Sequence, residues 1–267
     1  VTGEPLSREV ELGTGLRAHW LEWGADDAGL DHTVLLLHGF LDSAWGWAAT
    51  VRAGLAGRFH VVAPDLRGHG DTAWIGPGGY YHFIDYLSDV DEVARRVTRG
   101  RLSVVGHSMG GSVAAYFAGT FPERVHRLAM LEGLGPPENR GEVPERVRVW
   151  LDAWRRVRER PARSYAERGT RVDADGRRRF KHDPIHVTTG PTPFRVDYAA
   201  QFWRRITCPV LMVEGERSVF RAAADEVDRR LAHFASFERA LVPGAGHMMQ
   251  RHQPAALAAI LTAFLTP

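Results

Sequence analysis

The sequence predicts an α/β fold: a mostly parallel β-sheet covered on both faces by helices. Three observations predict it. Continuous apolar runs such as Thr33-Val34-Leu35-Leu36-Leu37, His60-Val61-Val62-Ala63 and Leu102-Ser103-Val104-Val105 read as strands buried on both faces. Segments of helical spacing alternate with them; in Phe83–Val97, Ile84, Leu87, Val90, Ala94 and Val97 recur with acids between. A Gly-x-Ser-x-Gly turn, Gly106-His107-Ser108-Met109-Gly110, joins an apolar strand to a helix start.

The elements follow in order. Val10–Leu12 and Leu16–Trp23, separated by Gly13-Thr14-Gly15, predict a β-hairpin. The strand Thr33–Leu37 ends in His38-Gly39-Phe40-Leu41-Asp42, and Trp45–Leu55 is a helical candidate. The strand His60–Ala63 is closed by Pro64-Asp65-Leu66-Arg67-Gly68-His69-Gly70. After the serine turn, Ser112–Phe121 reads as helix, and Val125–Leu131 as a strand ending at Glu132-Gly133-Leu134-Gly135. From Pro136 to Thr207 the texture changes, with 17 basic against 10 acidic residues. Within it, Pro144–Arg160 places Val147, Trp150, Leu151, Trp154 and Val157 on one helical face, with proline suited to the first turn, whereas Arg168–His182 reads as polar loop. Alternation returns with Pro209–Val213, Ala222–Leu231, Phe237–Val242 and Ala255–Leu265. The expected organisation is a core of residues 1–135 and 208–267, interrupted by an insertion of residues 136–207 over the C-terminal strand ends, where ligands bind in open α/β sheets.

Bulk properties narrow the function. The chain has 267 residues, 44% of them apolar, which suits a sizeable core and argues against global disorder. Net charge is +2, and of the 34 basic residues only Lys181 is a lysine. This reads as compositional habit rather than a nucleic-acid footprint, which would gather net positive charge on one face. The single cysteine, Cys208, permits no intrachain disulfide and reads as structural at a strand entry. The N-terminus lacks the basic and apolar regions of a leader, and the longest apolar run, Ala255–Leu265, is too short to span a bilayer. The expectation is a cytoplasmic monomer or homodimer that acts on a small molecule, without membrane or nucleic-acid partner. Neither His-Glu-x-x-His nor paired-cysteine spacing occurs, and the glycine-rich turn lacks the lysine of a phosphate-binding loop. No metal, nucleotide or other cofactor is expected.

The chemistry concentrates at Ser108. A serine hydroxyl is a poor nucleophile until a base takes its proton, and it must protrude to reach a substrate carbonyl. A sharp strand-to-helix turn makes it protrude. Small residues two before and two after avoid a clash, and the following helix directs free N–H groups toward an anion formed on attack.

With these motifs in this order, the chain resembles the α/β-hydrolase superfamily, specifically its capped, esterase-like serine hydrolases. His38-Gly39-Phe40 is similar to the family's oxyanion loop, Asp65-Leu66-Arg67-Gly68-His69-Gly70 to the turn after its fourth strand, and Gly106–Gly110 to its nucleophile elbow. Pro122-Glu123-Arg124-Val125 resembles the lead into its sixth strand, and Pro243-Gly244-Ala245-Gly246-His247 its histidine loop. The resemblance implies an eight-stranded sheet and makes the insertion the family's variable helical cap. It implies Ser108 as nucleophile, His247 as base, and the backbone N–H groups of Phe40 and Met109 as oxyanion hole. His38, His69 and His107 are expected to be architectural. The acid departs from the commonest pattern. Most members carry an aspartate after the seventh strand, but here that stretch is Gly215-Glu216-Arg217-Ser218-Val219-Phe220. Some branches place the acid after the sixth strand, where Glu132 stands; Glu216 is the alternative. Phe40, Trp150 and Trp154 are candidate substrate contacts; the reading favoured for the two tryptophans is the buried stripe of a helix packing onto the main domain, and for Phe40 core packing is compatible with the same role. The arginine-rich cap faces are either solvated surface or an attraction for anionic substrates.

A serine at the elbow, rather than the aspartate of dehalogenases and epoxide hydrolases, implies acyl transfer to water. The leading expectation is hydrolysis of a small, largely apolar ester, thioester or lactone. The alternatives are a carbon–carbon bond hydrolase of aromatic-degradation type and a non-enzymatic ligand receptor on the same fold.

Overall fold

The computed structural model describes residues 3–25, 32–76, 78–138, 141–159, 170–172, 176, 178–188, 190–220 and 224–266. The chain opens with the antiparallel hairpin β1 (Leu6–Glu11) and β2 (Arg17–Trp23). There follow β3 (Thr33–Leu37), a short 3-10 turn (Ala44–Trp47), α1 (Ala48–Thr50) and a wider turn of π type (Val51–Leu55). Next come β4 (His60–Pro64), α2 (Phe83–Val97), β5 (Leu102–His107), α3 (Met109–Thr120) and β6 (Val125–Leu131). Residues 136–207 contribute α4 (Val143–Glu159), β7 (Thr170–Val172), β8 (Arg178–Phe180), a 3-10 turn (Pro184–Val187) and α5 (Val196–Trp203). The chain closes with β9 (Val210–Gly215), α6 (Ala224–Leu231), β10 (Glu238–Val242), α7 (Met249–His252) and α8 (Pro254–Leu265).

Eight strands form one open sheet in the order β1-β2-β4-β3-β5-β6-β9-β10. β2 runs antiparallel to β4, and every pairing from β4 to β10 is parallel. This is the α/β-hydrolase fold. The continuous apolar runs have a simple cause. Successive side chains point to opposite faces, and both faces are covered. Leu35, Leu37, Val62, Val104, Leu128 and Met130 pack on the face that also buries Ala114 and Phe117 of α3 and Val90 and Ala94 of α2. Their neighbours Val34, Leu36, Val61, Ala63, Val105, Ala129 and Leu131 pack on the other, with Leu257 and Leu261 of α8.

Two local expectations change. The polar stretch read as loop contains the two-stranded ribbon β7–β8, paired Thr170 to Phe180. Strands of three residues are too short to show a period of two. The helix expected over Trp45–Leu55 is irregular; Gly54 has extended φ of 177° and packs near Ala258 and Thr262 of α8.

Residues 136–207 pack against the rest of the chain through α5 and through the stretch 181–188, among other contacts. The ring of Phe202 on α5 stacks on Tyr116 of α3 at 4.2 Å, and Ala199, Ala200 and Trp203 are buried in the main core. The stretch 181–188 is pinned to the loop after β4. The Lys181 ammonium lies 2.6 Å from Asp71 Oδ1, Asp183 N donates to Gly68 O at 2.8 Å, and Tyr81 Oη donates to Asp183 Oδ2 at 2.8 Å. No helix among the described residues is long and apolar enough to cross a membrane.

Candidate active site

Ser108 stands alone between the last residue of β5 and the first of α3, with φ 51° and ψ −118°. A non-glycine residue held there stores roughly 1–3 kcal/mol of backbone strain, which its surroundings must over-determine. They do so through hydrogen bonds: Ser108 N donates to Leu131 O at 2.8 Å, and Ser108 O accepts from Gly111 N and Ser112 N at 2.9 and 3.2 Å. The flanking glycines are required sterically. A Cβ on Gly106 would lie 2.3 Å from Gly110 O, and one on Gly110 would lie 2.4 Å from both Leu37 O and His38 O.

Those carbonyls belong to the approach of the 38–42 loop. A Cβ on Gly39 would sit 3.3 Å from Ser108 Cβ, so this backbone runs directly past the serine. His38 fixes the loop: its Nδ1–H donates to Gly39 O at 2.7 Å, and its Nε2 accepts from Leu66 N at 2.9 Å. Leu41 takes φ 59° in the turn closed by Asp42 N donating to Gly39 O. Met109 opens α3, so its N–H is one of the first-turn donors without an intrahelical acceptor. The Phe40 ring is half exposed and stands edge-on to His69 and His186, at 6.2 and 6.0 Å.

His247 is brought to the elbow by His107, whose Nε2–H donates to the His247 carbonyl at 2.8 Å. Burial, then the neighbouring His247, push His107 down to about 4, so it stays neutral. Among the described residues no hydrogen bond joins Ser108 Oγ to His247; such contacts are often long without substrate. The other side of the imidazole is firmly held. His247 Nδ1 lies 2.5 Å from Glu132 Oε2. A carboxylate accepts, so Nδ1 carries the proton and Nε2 is left as the basic atom.

Glu132 follows β6 with φ 47°. Its Oε2 also accepts from Ser218 Oγ at 2.7 Å, and its Oε1 from Gly215 N at 2.9 Å. Burial alone would raise its proton affinity. The hydrogen bonds from His247, Gly215 and Ser218 outweigh burial and hold the carboxyl below its ordinary value. Glu216 is engaged elsewhere: its Oε2 accepts from Gly244 N at 2.7 Å, closing the turn that leads to His247.

Trp150 and Trp154 stack on each other at 6.0 Å; Trp150 meets Tyr80 edge-on at 5.0 Å, and Trp154 packs against the main core. Two residues that the sequence did not single out approach the site. The exposed ring of Phe220 lies 4.4 Å from the His247 ring. His186 is sandwiched between Tyr81 and His69, at 3.9 and 4.1 Å, and so carries the insertion to the Phe40 loop. The aspartate expected at 218 or 219 is missing beside the first of them, but nothing in the sequence marked either ring. His19, Asp65 and Asp71 bring three metal-type donors within 4.8 Å of one another. Internal contacts engage these groups: His19 Nδ1 on Asp65 at 2.7 Å, and the Lys181 ammonium on Asp71.

A model of the alpha/beta hydrolase family matches residues 34–260. An uncharacterized protein of Mycobacterium tuberculosis is 39% identical over 108 residues, 40% of this chain and 31% of its own length, so the chain spans about a third of that relative. A serine hydrolase-like protein of Dictyostelium discoideum is 24% identical over 284 residues, covering 92% of this chain and 77% of that one. The crystal structure of a hypothetical protein from Pseudomonas aeruginosa PAO1 superposes with a TM-score of 0.83 at 27% identity, over 98% of both chains. With a family match that runs from β3 into α8 and takes in the strained serine turn, the chain belongs to the alpha/beta hydrolase family.

Proposed function

We propose that the protein is a serine hydrolase that cleaves a small, largely apolar ester, thioester or lactone through an acyl-enzyme, with Ser108, His247 and Glu132 as its triad. One observation carries the reading. A nucleophile held in a strained turn shares its surroundings with an imidazole whose Nδ1 is fixed on a carboxylate at 2.5 Å. His247 Nε2 takes the Ser108 proton as Oγ attacks the carbonyl carbon. The resulting oxyanion is received by the N–H groups of Phe40 and Met109. Collapse breaks the bond to the leaving group, which departs with the proton from His247, and water repeats the sequence on the acyl-enzyme. The half-exposed Phe40 and exposed Phe220 favour apolar groups beside the reacting centre. Residues 136–207 act as the cap, and the contacts of His186 with His69 and Phe40 support that placement.

The test is covalent. A fluorophosphonate probe should label the wild type at Ser108, and Ser108→Ala should lose both labelling and hydrolysis of p-nitrophenyl acetate. Labelling that survives the substitution, read by intact mass, would overturn the nucleophile; absent turnover in a labelled wild type would favour a receptor.

A further inference from the structure

Ser218 occupies the turn after β9, and its hydroxyl meets the same carboxylate oxygen that holds the imidazole: Oγ lies 2.7 Å and His247 Nδ1 2.5 Å from Glu132 Oε2. The direction of the contact is determined. Ser218 Oγ accepts from Phe220 N at 3.2 Å, and an ionised carboxylate only accepts, so the hydroxyl proton goes to Glu132. Ser218 is itself held by the turn, its N donating to Gly215 O at 3.1 Å.

The need for such a donor follows from the side chain it serves. Glutamate has one more rotatable bond than aspartate, and here it enters from a residue in left-handed backbone, φ 47°. Gly215 N pins Oε1 only, leaving the carboxylate free to turn about that bond. A second donor on Oε2 removes this freedom and leaves the lone pair toward Nδ1 in place. The same loop sets the Phe220 ring against His247 at 4.4 Å, so one turn braces both the ring and its carboxylate.

We infer that Ser218 is a positioning residue of the site: it donates its hydroxyl to Glu132 Oε2 and so fixes the carboxylate on His247 Nδ1. The inference rests on the reading of Glu132 as the acid. It also gives position 218 a role where an aspartate is otherwise expected: the hydroxyl supports a carboxylate that arrives from the neighbouring strand.

Hydrolysis of p-nitrophenyl acetate by wild type, Ser218→Ala, Glu132→Gln and the double variant separates the two claims. Ser218→Ala should lower kcat roughly tenfold, the low end for a hydrogen bond to a charged group, with KM unchanged. The acidic limb of kcat/KM should move to higher pH, because a carboxylate that has lost a donor makes the Glu132–His247 pair hold its proton more tightly. In the Glu132→Gln background the serine substitution should cost nothing further. Ser218→Thr, which keeps the hydroxyl, should keep the wild-type limb. An unchanged kcat and limb in Ser218→Ala, an equal loss in both backgrounds, or a limb that moves as far with threonine as with alanine would overturn the role of Ser218. Full activity in Glu132→Gln alone would instead remove the acid assignment.

Discussion

At Glu132 two demands meet: a left-handed backbone, and a carboxylate that takes hydrogen bonds from three elements. In the proposed mechanism the imidazole becomes cationic during attack, and a partner that stays anionic lowers the cost. The hydrogen bonds that hold the Glu132 carboxyl below its ordinary value keep it ionised there. Glu132→Gln should therefore lower kcat by about three to four orders of magnitude, as loss of the acid does in serine triads, in a protein of unchanged melting temperature. Glu216→Gln should cost less than tenfold, because a glutamine oxygen still accepts from Gly244 N. The reverse ranking in steady-state assays would move the acid to the β9 turn. At this scale the sequence was legible wherever sterics forced residue type. Glycines on both sides of Ser108 have no room for a Cβ, and that necessity is what the motif records. Phe220 and His186 were not legible, because a ring's place beside an imidazole follows from loop path and packing, not local pattern.

Among the elements, α6 does more than cover the sheet. Arg230, 2% exposed, reaches back from it to the chain just beyond Glu132. Its Nη1 donates to Leu134 O and Gly135 O at 2.8 and 2.9 Å, its Nη2 to Pro136 O at 3.0 Å, and it pairs with Glu226 one turn earlier. The guanidinium lies over the Phe194 ring at 5.2 Å. A planar fork with five donors suits this work, and a lysine ammonium cannot span it. Arg230→Met should leave three carbonyls and one carboxylate without their partner and cost about 3–5 kcal/mol in urea unfolding. A loss below about 1 kcal/mol would show that water replaces the side chain freely. The same residue shows where sequence reading stopped. Periodicity gave α2 its full length, Phe83–Val97, but gave no sign that an arginine of α6 is buried. Likewise, charge composition gave no sign that α5, within the basic stretch, packs on α3 with its alanines and Trp203 in the core. Composition reports what faces water over a long stretch, while packing is decided one face at a time.

For the molecule as a whole, buried imidazoles set the response to acid. Four buried histidines are lowered with burial as the first cause: His107 to about 4, His186 to about 3, His69 well below its ordinary 6.5, and His182 below it as well. Neighbouring histidines push the same way, His186 and His38 on His69, and His182 on His186. In the unfolded chain each binds a proton near pH 6.5; in the folded protein it does so only at lower pH. The unfolded state therefore holds more protons throughout the window below 6.5, and stability falls as pH falls. His107 and His186, held at about 4 and about 3, should each cost about 2 kcal/mol at pH 5, and His69 and His182 act in the same direction. Glu132 and Asp65, both held below their ordinary values of 4.5 and 3.8, act in the same direction but only once the pH nears those values. Asp89, raised by burial, works against the trend. The interval from pH 6.5 to 5 is thus where the histidines act most strongly. Urea unfolding at steps across it should show stability falling with pH, each histidine protonated only in the unfolded chain contributing up to about 1.4 kcal/mol per pH unit. His186→Phe keeps the stack on Tyr81 and His69 while removing one site of uptake, and should reduce that slope by up to about 1.4 kcal/mol per pH unit. A wild-type curve flat from pH 7 to 5 would mean that the buried rings take up protons in place, and the acid response would then have to be sought among the carboxylates.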